Sequence, residues 1–297
     1  MAYYGNDNSG NGNGGRSSFR WGGLLIAALF AGYALIKYYS STQVNEITGE
    51  KQHIGTITKE QEMALGMEGA PHMAQQYGGL YPDERAQSFV KQVGHKIVDN
   101  STAQQAGYQF DFYLLADPNV INAFALPGGQ VFITQALFSK LANEDQLAGI
   151  FGHEIGHVIA RHGAVRMAKD ELTQGLTGAA VIAAGDYNSS QGIQMIANMI
   201  GLKYGRDQEL QSDDLGVRFM YEAGYDPRAM IQVMEILKAA GGPNRQPEFQ
   251  STHPDPENRI EKIQAAIEKY TQGKRLDQGS NSGNVTPALK LKDPNFK

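Results

Sequence analysis

The most continuous apolar run of the chain lies near its start. Trp21 to Ile36, WGGLLIAALFAGYALI, spans sixteen residues without a charge. Phe19 before it and Tyr38 and Tyr39 after it extend the run toward the ~20 residues that a membrane-spanning helix requires. Aromatic rings at both ends suit the headgroup region. Residues 19–39 are therefore expected to form one uncleaved transmembrane anchor. The following KYYSSTQ is a poor signal-peptidase site. Arg16 and Arg20 precede the span and Lys37 follows it, which favours a cytoplasmic N-terminus with the main domain outside. Residues 1–18 are rich in Gly, Asn and Ser and read as a disordered tail.

Beyond the anchor the pattern becomes globular. Thr58 followed by Lys59, Glu60 and Gln61 is a helix start, with a capping side chain and acidic first turn. Asp83 to Val98 places Phe89, Val93 and Ile97 on one helical face. FDFYLLAD at 110–117 alternates and is aromatic, so a strand is expected there. VFIT at 131–134 is a second strand, entered through the turn Pro127-Gly128-Gly129. Helices dominate afterwards, punctuated at Gly224, at Gly241-Gly242 and from Pro254 to Pro256. The Gly- and Ala-rich segment 171–205 reads first as a pair of small-residue helices, with a lid or a membrane-dipping hairpin as alternatives. Residues 271–297 lack periodicity and are expected to be a flexible tail, leaving 40–270 as the main domain. There is no internal repeat. The fold class expected is α+β, mainly helical, with a small sheet packed on one central helix.

Composition narrows the chemistry. Hydrophobic residues make up 41% and charged residues 19%, an ordinary globular balance. A net charge of −5 leaves no basic surplus to neutralise phosphates, so nucleic acid is not an expected partner. The absence of cysteine removes disulfides, thiolate zinc sites, lipidation of an N-terminal cysteine and cysteine nucleophiles together. Any metal must be held by imidazole and carboxylate.

One such set stands in the sequence. His153-Glu154-Ile155-Gly156-His157 is an HExxH motif, which on a helix turns both imidazoles to one ion. Glu154 would lean over the open position as the general base for a water molecule. Asn143 is the expected cap of this helix, with Glu144 and Asp145 in its first turn. HExxH also occurs by chance, but the flanking Leu147, Ile150, Phe151, Val158 and Ile159 imply burial, and buried histidines need partners. A catalytic zinc usually takes a third protein ligand. Glu209, in GRDQELQSDDLG at 205–216, is the candidate, with Asp213 one turn on to accept the outer N–H of a ligand histidine. An acidic solvated helix face is the bland alternative. His162 is expected to be a solvated helix-end residue.

HEIGHVIARH, RDQELQSD and STHPDPENRI at 251–260, with NAFALPGGQVFIT at 122–134, resemble the membrane-linked zinc metallopeptidases. That family includes HtpX, BepA, the CAAX prenyl proteases and the mitochondrial OMA-type proteases, and the single-anchor OMA- and BepA-like members are the most similar. The resemblance runs from about Glu46 to Tyr270. It implies a zincin-like peptidase domain with one zinc ion per chain, ligated by His153, His157 and Glu209, with Glu154 as base. The family pattern around the third ligand usually reads E-x-E-A-D, and here Gln211 and Ser212 replace the middle Glu and Ala. His253 lies in the family's HP motif. It would donate a hydrogen bond to the tetrahedral oxyanion or occupy the open zinc position at rest, the alternative being that it caps the next helix. Arg259 follows it in a supporting or structural role. Asn122, Ala123, Phe124 and Ala125 would form an edge strand that pairs with an extended peptide. Unfolded or misfolded membrane and envelope proteins are the expected substrates. The bacterial inner membrane, with the domain outside the cytoplasm, is the first expectation and the mitochondrial inner membrane the second. A zinc-bound but weakly proteolytic assembly factor is the rival reading. The sequence leaves the oligomeric state open.

Overall fold

The computed structural model describes residues 16–55, 57–184, 204–241, 247–254 and 258–272. Most of the tails expected at 1–18 and 271–297, and residues 185–203 of the Gly/Ala-rich segment, lie outside the described residues. By internal packing the chain divides into two compact units, residues 1–40 with 169–201 and residues 41–168 with 202–297.

In the first unit, helix α1 runs Arg16–Ser40. Its Gly22–Ser40 portion is long and apolar enough to cross a membrane. Leu25, Leu29, Tyr33 and Ile36 stand exposed on it, where a lipid-facing helix would carry them. The later turns of a long helix, His162–Ala184 (α6 below), lie beside α1. A Cβ on Gly175 would come 2.8 Å from the Ala34 side chain, and Lys37 pairs with Glu171.

The second unit opens with an antiparallel hairpin, β1 (Thr42–Val44) and β2 (Lys51–His53), registered Thr42 to His53. Helix α2 (Lys59–Gln76) starts with a full capping box between Thr58 and Gln61, and α3 (Glu84–Asp99) starts from Asp83, which accepts from the Arg85 and Ala86 N–H groups. Both starts fall where the sequence pattern puts them. After a short 3₁₀ turn (Thr102–Ala106) comes a three-stranded sheet of β3 (Asp111–Leu115), β4 (Ala123–Ala125) and β5 (Gln130–Thr134). Its order is β3-β5-β4, with β3 parallel and β4 antiparallel to β5. VFIT therefore forms the buried central strand, with β3 and β4 at the two edges of the sheet. The β4–β5 turn needs glycine: Gly128 sits at φ 85°, and a Cβ there would fall 2.3 Å from the Met63 Cα of α2.

Short α4 (Gln135–Phe138) leads to α5 (Glu144–Ile159), capped by Asn143, whose side chain accepts from the Gln146 N–H. From Gln146 onward α5 is buried along its whole length. It is enclosed by β4, α3, α7 (Arg206–Glu222) and α8 (Ala229–Ala240). Phe112 of β3 meets Phe151 of α5 with ring centroids 5.0 Å apart. Short α9 (Glu248–Thr252) and then α10 (Arg259–Thr271) complete the unit, α10 packing on α7. The result is the mainly helical α+β, zincin-like architecture expected.

The end of α5 receives unusual support. Its last carbonyls have no partner within the helix. Instead Asn45 Nδ2 donates to the Ile159 carbonyl and Gln52 Nε2 to that of Ala160, both at 2.8 Å. Arg161 then turns the chain into α6 with φ 54°. Its guanidinium is buried on Glu62 at 2.9 Å and on the Ile57 carbonyl at 3.0 Å, and Tyr108 also donates to Glu62. The hairpin and this ion pair fix where the HEIGH helix stops. The polar strands TQV and KQH carry no apolar alternation, so the sequence pattern gives no sign of this hairpin.

Candidate metal centre

Two helices meet at backbone contact to build the site. A Cβ on Gly156 of α5 would lie 2.7 Å from the Ser212 carbonyl oxygen of α7 and 2.8 Å from its Oγ. One on Gly216 of α7 would lie 2.9 Å from the Gly152 carbonyl carbon. Small residues four apart on both helices, Gly152 and Gly156 against Ser212 and Gly216, thus set the approach. Ser212 Oγ donates to the His153 carbonyl at 2.7 Å across the contact. With the backbones this close, Glu209 on the first turn of α7 reaches His153 and His157 on α5.

One ligand atom each of His153, His157, Glu209 and His253 falls within 4.8 Å of the others, and all four side chains are buried. His153 Nε2 and His157 Nε2 are 3.1 Å apart, and Glu209 approaches them at 3.5 and 3.4 Å. His253 Nδ1 stands 3.2 Å from His153 Nε2 and 3.1 Å from Glu209 Oε1. His253 closes α9 at its C-terminal end, its N–H donating to the Phe249 carbonyl, rather than capping the helix that follows. Phe249 stacks on its ring at 4.4 Å. Tyr204, just before α7, stacks on His157 with centroids 3.9 Å apart.

Behind the donors lies a charged support. His153 Nδ1 is 2.8 Å from Asp213 Oδ1, and Arg259 grips Asp213 through Nε (2.7 Å) and the terminal nitrogen (2.9 Å). Burial alone would raise the Asp213 carboxyl, but Arg259 and His153 outweigh it and hold the group below the usual range. The same contest leaves Glu209 well below it: burial is opposed by the imidazoles of His157, His253 and His153 around it. Burial lowers His157 well below its ordinary value. For His153 the carboxylate of Asp213 overcomes burial and raises it. For Glu154 burial wins over the neighbouring His253 and His153 and pushes its carboxyl up.

His162 corrects the sequence reading. It is 1% exposed, not solvated, because α6 starts inside the unit under α5. Its Nδ1 lies 2.8 Å from the outer nitrogen of His157, and its Nε2 is 2.7 Å from Gln211 Oε1. Burial brings His162 down to about 4. A histidine five positions past the second histidine of the motif is the only mark of this in the sequence. Tyr204 carries no mark at all, and Gln211 and Ser212 stand out only as departures from the resembling family's pattern.

The expected substrate strand is present only in part as an edge. Thr134 N–H donates to the Asn122 carbonyl and Leu126 N–H to that of Gln130. Antiparallel alternation then turns the main-chain groups of Ala123 and Ala125 away from β5 and leaves Phe124 bonded inward. Asn122 is buried, with its amide donating to Tyr77 Oη (3.2 Å) and Glu248 Oε1 (3.1 Å).

The donors fit a cation. Among the described residues, both oxygens of Glu154 and Oε2 of Glu209 are buried without a hydrogen-bond partner. Arg259, 3.4 Å from Glu209 Oε2, offsets part of that carboxylate's charge, and a positive ion among them would relieve the remaining cost. Two imidazoles and one carboxylate with no thiolate are the donor set of catalytic zinc sites. The fold and this site define a zincin-like metallopeptidase.

Residues 84–267 match peptidase family M48, and the chain belongs to that family. Its relatives include the beta-barrel assembly-enhancing protease of Escherichia coli K12, 28% identical over 250 residues that cover 80% of this chain and 50% of that protein. A putative beta-barrel assembly-enhancing protease of Vibrio cholerae is 31% identical over 72% of this chain and 46% of its own length. The mitochondrial metalloendopeptidase OMA1 of Schizosaccharomyces pombe is 26% identical over 83% of this chain and 71% of that protein. The chain spans about half the length of the bacterial relatives it matches.

Proposed function

We propose that the protein is a zinc-dependent endopeptidase, anchored by residues 19–39, that hydrolyses unfolded or misfolded membrane and envelope proteins. The observation carrying this reading is the buried His153–His157–Glu209 cluster facing the unpartnered carboxylate of Glu154. His153, His157 and Glu209 would hold one zinc ion. Bound zinc supplies a Lewis acid that polarises the scissile carbonyl and acidifies water.

Glu154 takes the proton of the attacking water on its carboxylate and passes it to the leaving amine. A carboxyl raised by burial is suited to both steps, since a base too weakly basic would not accept that proton. The outward main-chain groups of Ala123 and Ala125 would pair with an extended substrate segment beside Glu154, giving affinity without sequence selectivity. Folded chains do not present such a segment. Asp213, held by Arg259, fixes the orientation of His153.

His253 has two roles open to it. Its Nδ1 lies among the zinc donors, which supports a resting position on the metal, while Nε2 is 3.6 Å from Glu154. A donor that filled the fourth place permanently would give the rival protein, a zinc-bound assembly factor with weak proteolysis. Turnover of His253→Phe separates these: a loss supports hydrogen bonding to the oxyanion, and a gain supports a resting plug.

The apolar helix supports a membrane location, and bacterial and mitochondrial relatives fit either of two membranes. The reading placed first is a bacterial inner membrane with the domain outside the cytoplasm, and a mitochondrial one second. The test of the activity is cleavage of casein by the full chain in detergent. Cleavage is expected to stop with a zinc chelator and return with added zinc. Chelator-resistant cleavage would overturn the reading.

A further inference from the structure

We infer that His162 and Gln211 form a two-link hydrogen-bonded relay that fixes the proton of His157 on Nδ1 and leaves its Nε2 as a lone pair for the metal. The inference rests on the reading of His157 as a ligand. Neither His162 nor Gln211 is among the four residues that offer an atom to the ion; both act through His157 and are positioning residues.

The argument follows the protons. A neutral imidazole carries one proton, so His157 can offer Nε2 to a metal only if Nδ1 is the protonated nitrogen. That Nδ1–H needs an acceptor in a buried setting, and the group 2.8 Å away is His162 Nδ1. Two nitrogens of the same kind share one proton there. His162 can accept only if its own proton sits on Nε2. That nitrogen lies 2.7 Å from Gln211 Oε1, an amide oxygen, which accepts and cannot donate. The three groups therefore have one consistent assignment with a metal bound. Gln211 accepts from His162, and His162 accepts from His157. Turning the Gln211 amide would reverse every link and place a proton on His157 Nε2, 3.1 Å from His153 Nε2, where the ion must bind.

The other ligand histidine is managed differently. His153 Nδ1 donates to Asp213, a carboxylate that can only accept, and Arg259 balances that charge. His157 is backed instead by a neutral pair. The relay is thus the uncharged counterpart of the Asp213 support and adds no second anion behind the site. Gln211 stands where the resembling family usually has Glu, which would accept the same proton.

The experiment uses the full chain in detergent and reads zinc affinity by competition with a chelator, together with the nitrogen-15 spectrum of the histidine rings in the zinc-loaded protein. His162→Phe is expected to weaken zinc binding by ~10- to 100-fold, the usual effect of removing a partner that orients a ligand. His162→Gln, whose amide oxygen can accept the same proton, is expected to recover part of that loss. Gln211→Leu, at a half-buried position, should weaken binding less. The spectrum should show His162 protonated on Nε2 with Nδ1 accepting. Unchanged affinity in a folded His162→Phe, or His162 protonated on Nδ1 in the loaded chain, would overturn the relay while leaving the metal reading intact. A wild-type chain that takes up no zinc would overturn both. Should His162→Phe not fold, the wild-type spectrum and Gln211→Leu decide.

Discussion

Asp213 joins two demands in one side chain, orienting His153 and neutralising Arg259, both 3% exposed or less. Removing it would leave a guanidinium buried without its closest anion. Asp213→Ala is therefore expected to destabilise the metal-free protein by about 3–5 kcal/mol and to weaken zinc binding by ~10- to 100-fold. Urea unfolding in a chelator measures the first effect and chelator competition the second. A variant that keeps both its stability and its zinc affinity would contradict the support described for His153. At this scale the sequence was most informative where spacing encodes geometry: the HExxH pair and the i, i+4 relation of Glu209 to Asp213 place side chains on common helical faces. It was least informative for His162, whose burial depends on how α6 re-enters the unit after the left-handed turn at Arg161.

Among elements, the contact of α5 with α7 controls the site, because Glu209 reaches the histidines only if the two backbones touch. Gly156→Val would force a branched side chain against the Ser212 backbone. We expect a cost of about 1–3 kcal/mol and loss of stoichiometric zinc, read by thermal unfolding and metal analysis. A stable variant that retains its zinc would show that the close approach is not required. The sequence pattern located α2, α3, α5, β3 and β5 because each has a cap, a stripe or an alternation. It missed the β1–β2 hairpin and took no account of the small-residue contact, since backbone proximity leaves no hydropathy signal.

The tie between α3 and the sheet carries a pH signature. Lys91 holds Asp111 at 2.6 Å, and together with the Phe112 N–H it outweighs burial and lowers the Asp111 carboxyl. A carboxyl depressed in the folded state contributes stability above its unfolded value of about 3.9 and loses it as pH falls through the lower folded value. Relative to wild type, Asp111→Asn should lose about 0.2–1 kcal/mol at pH 7, and the gap should shrink toward acid. Urea midpoints in chelator at several pH values check this. A gap that widens on acidification would contradict it.

For the whole molecule, the described residues include one helix long and apolar enough to span a membrane, in one compact unit, and a metal-type site in the other. If α1 is an anchor, alkaline carbonate should leave the protein in the membrane pellet and detergent should release it. Extraction by carbonate would contradict the anchor. The apolar helix and the metal-type cluster were legible because a long apolar run and a buried histidine pair each impose a strong physical requirement. The central claim is that Glu154 acts as base at a zinc held by other residues. Its most direct test compares cleavage of casein and bound zinc for the wild-type chain and Glu154→Gln. The account predicts about one zinc in each and cleavage slowed by ~100- to 10,000-fold in the variant. A variant that cleaves as wild type does, or one that has lost its zinc, would contradict it.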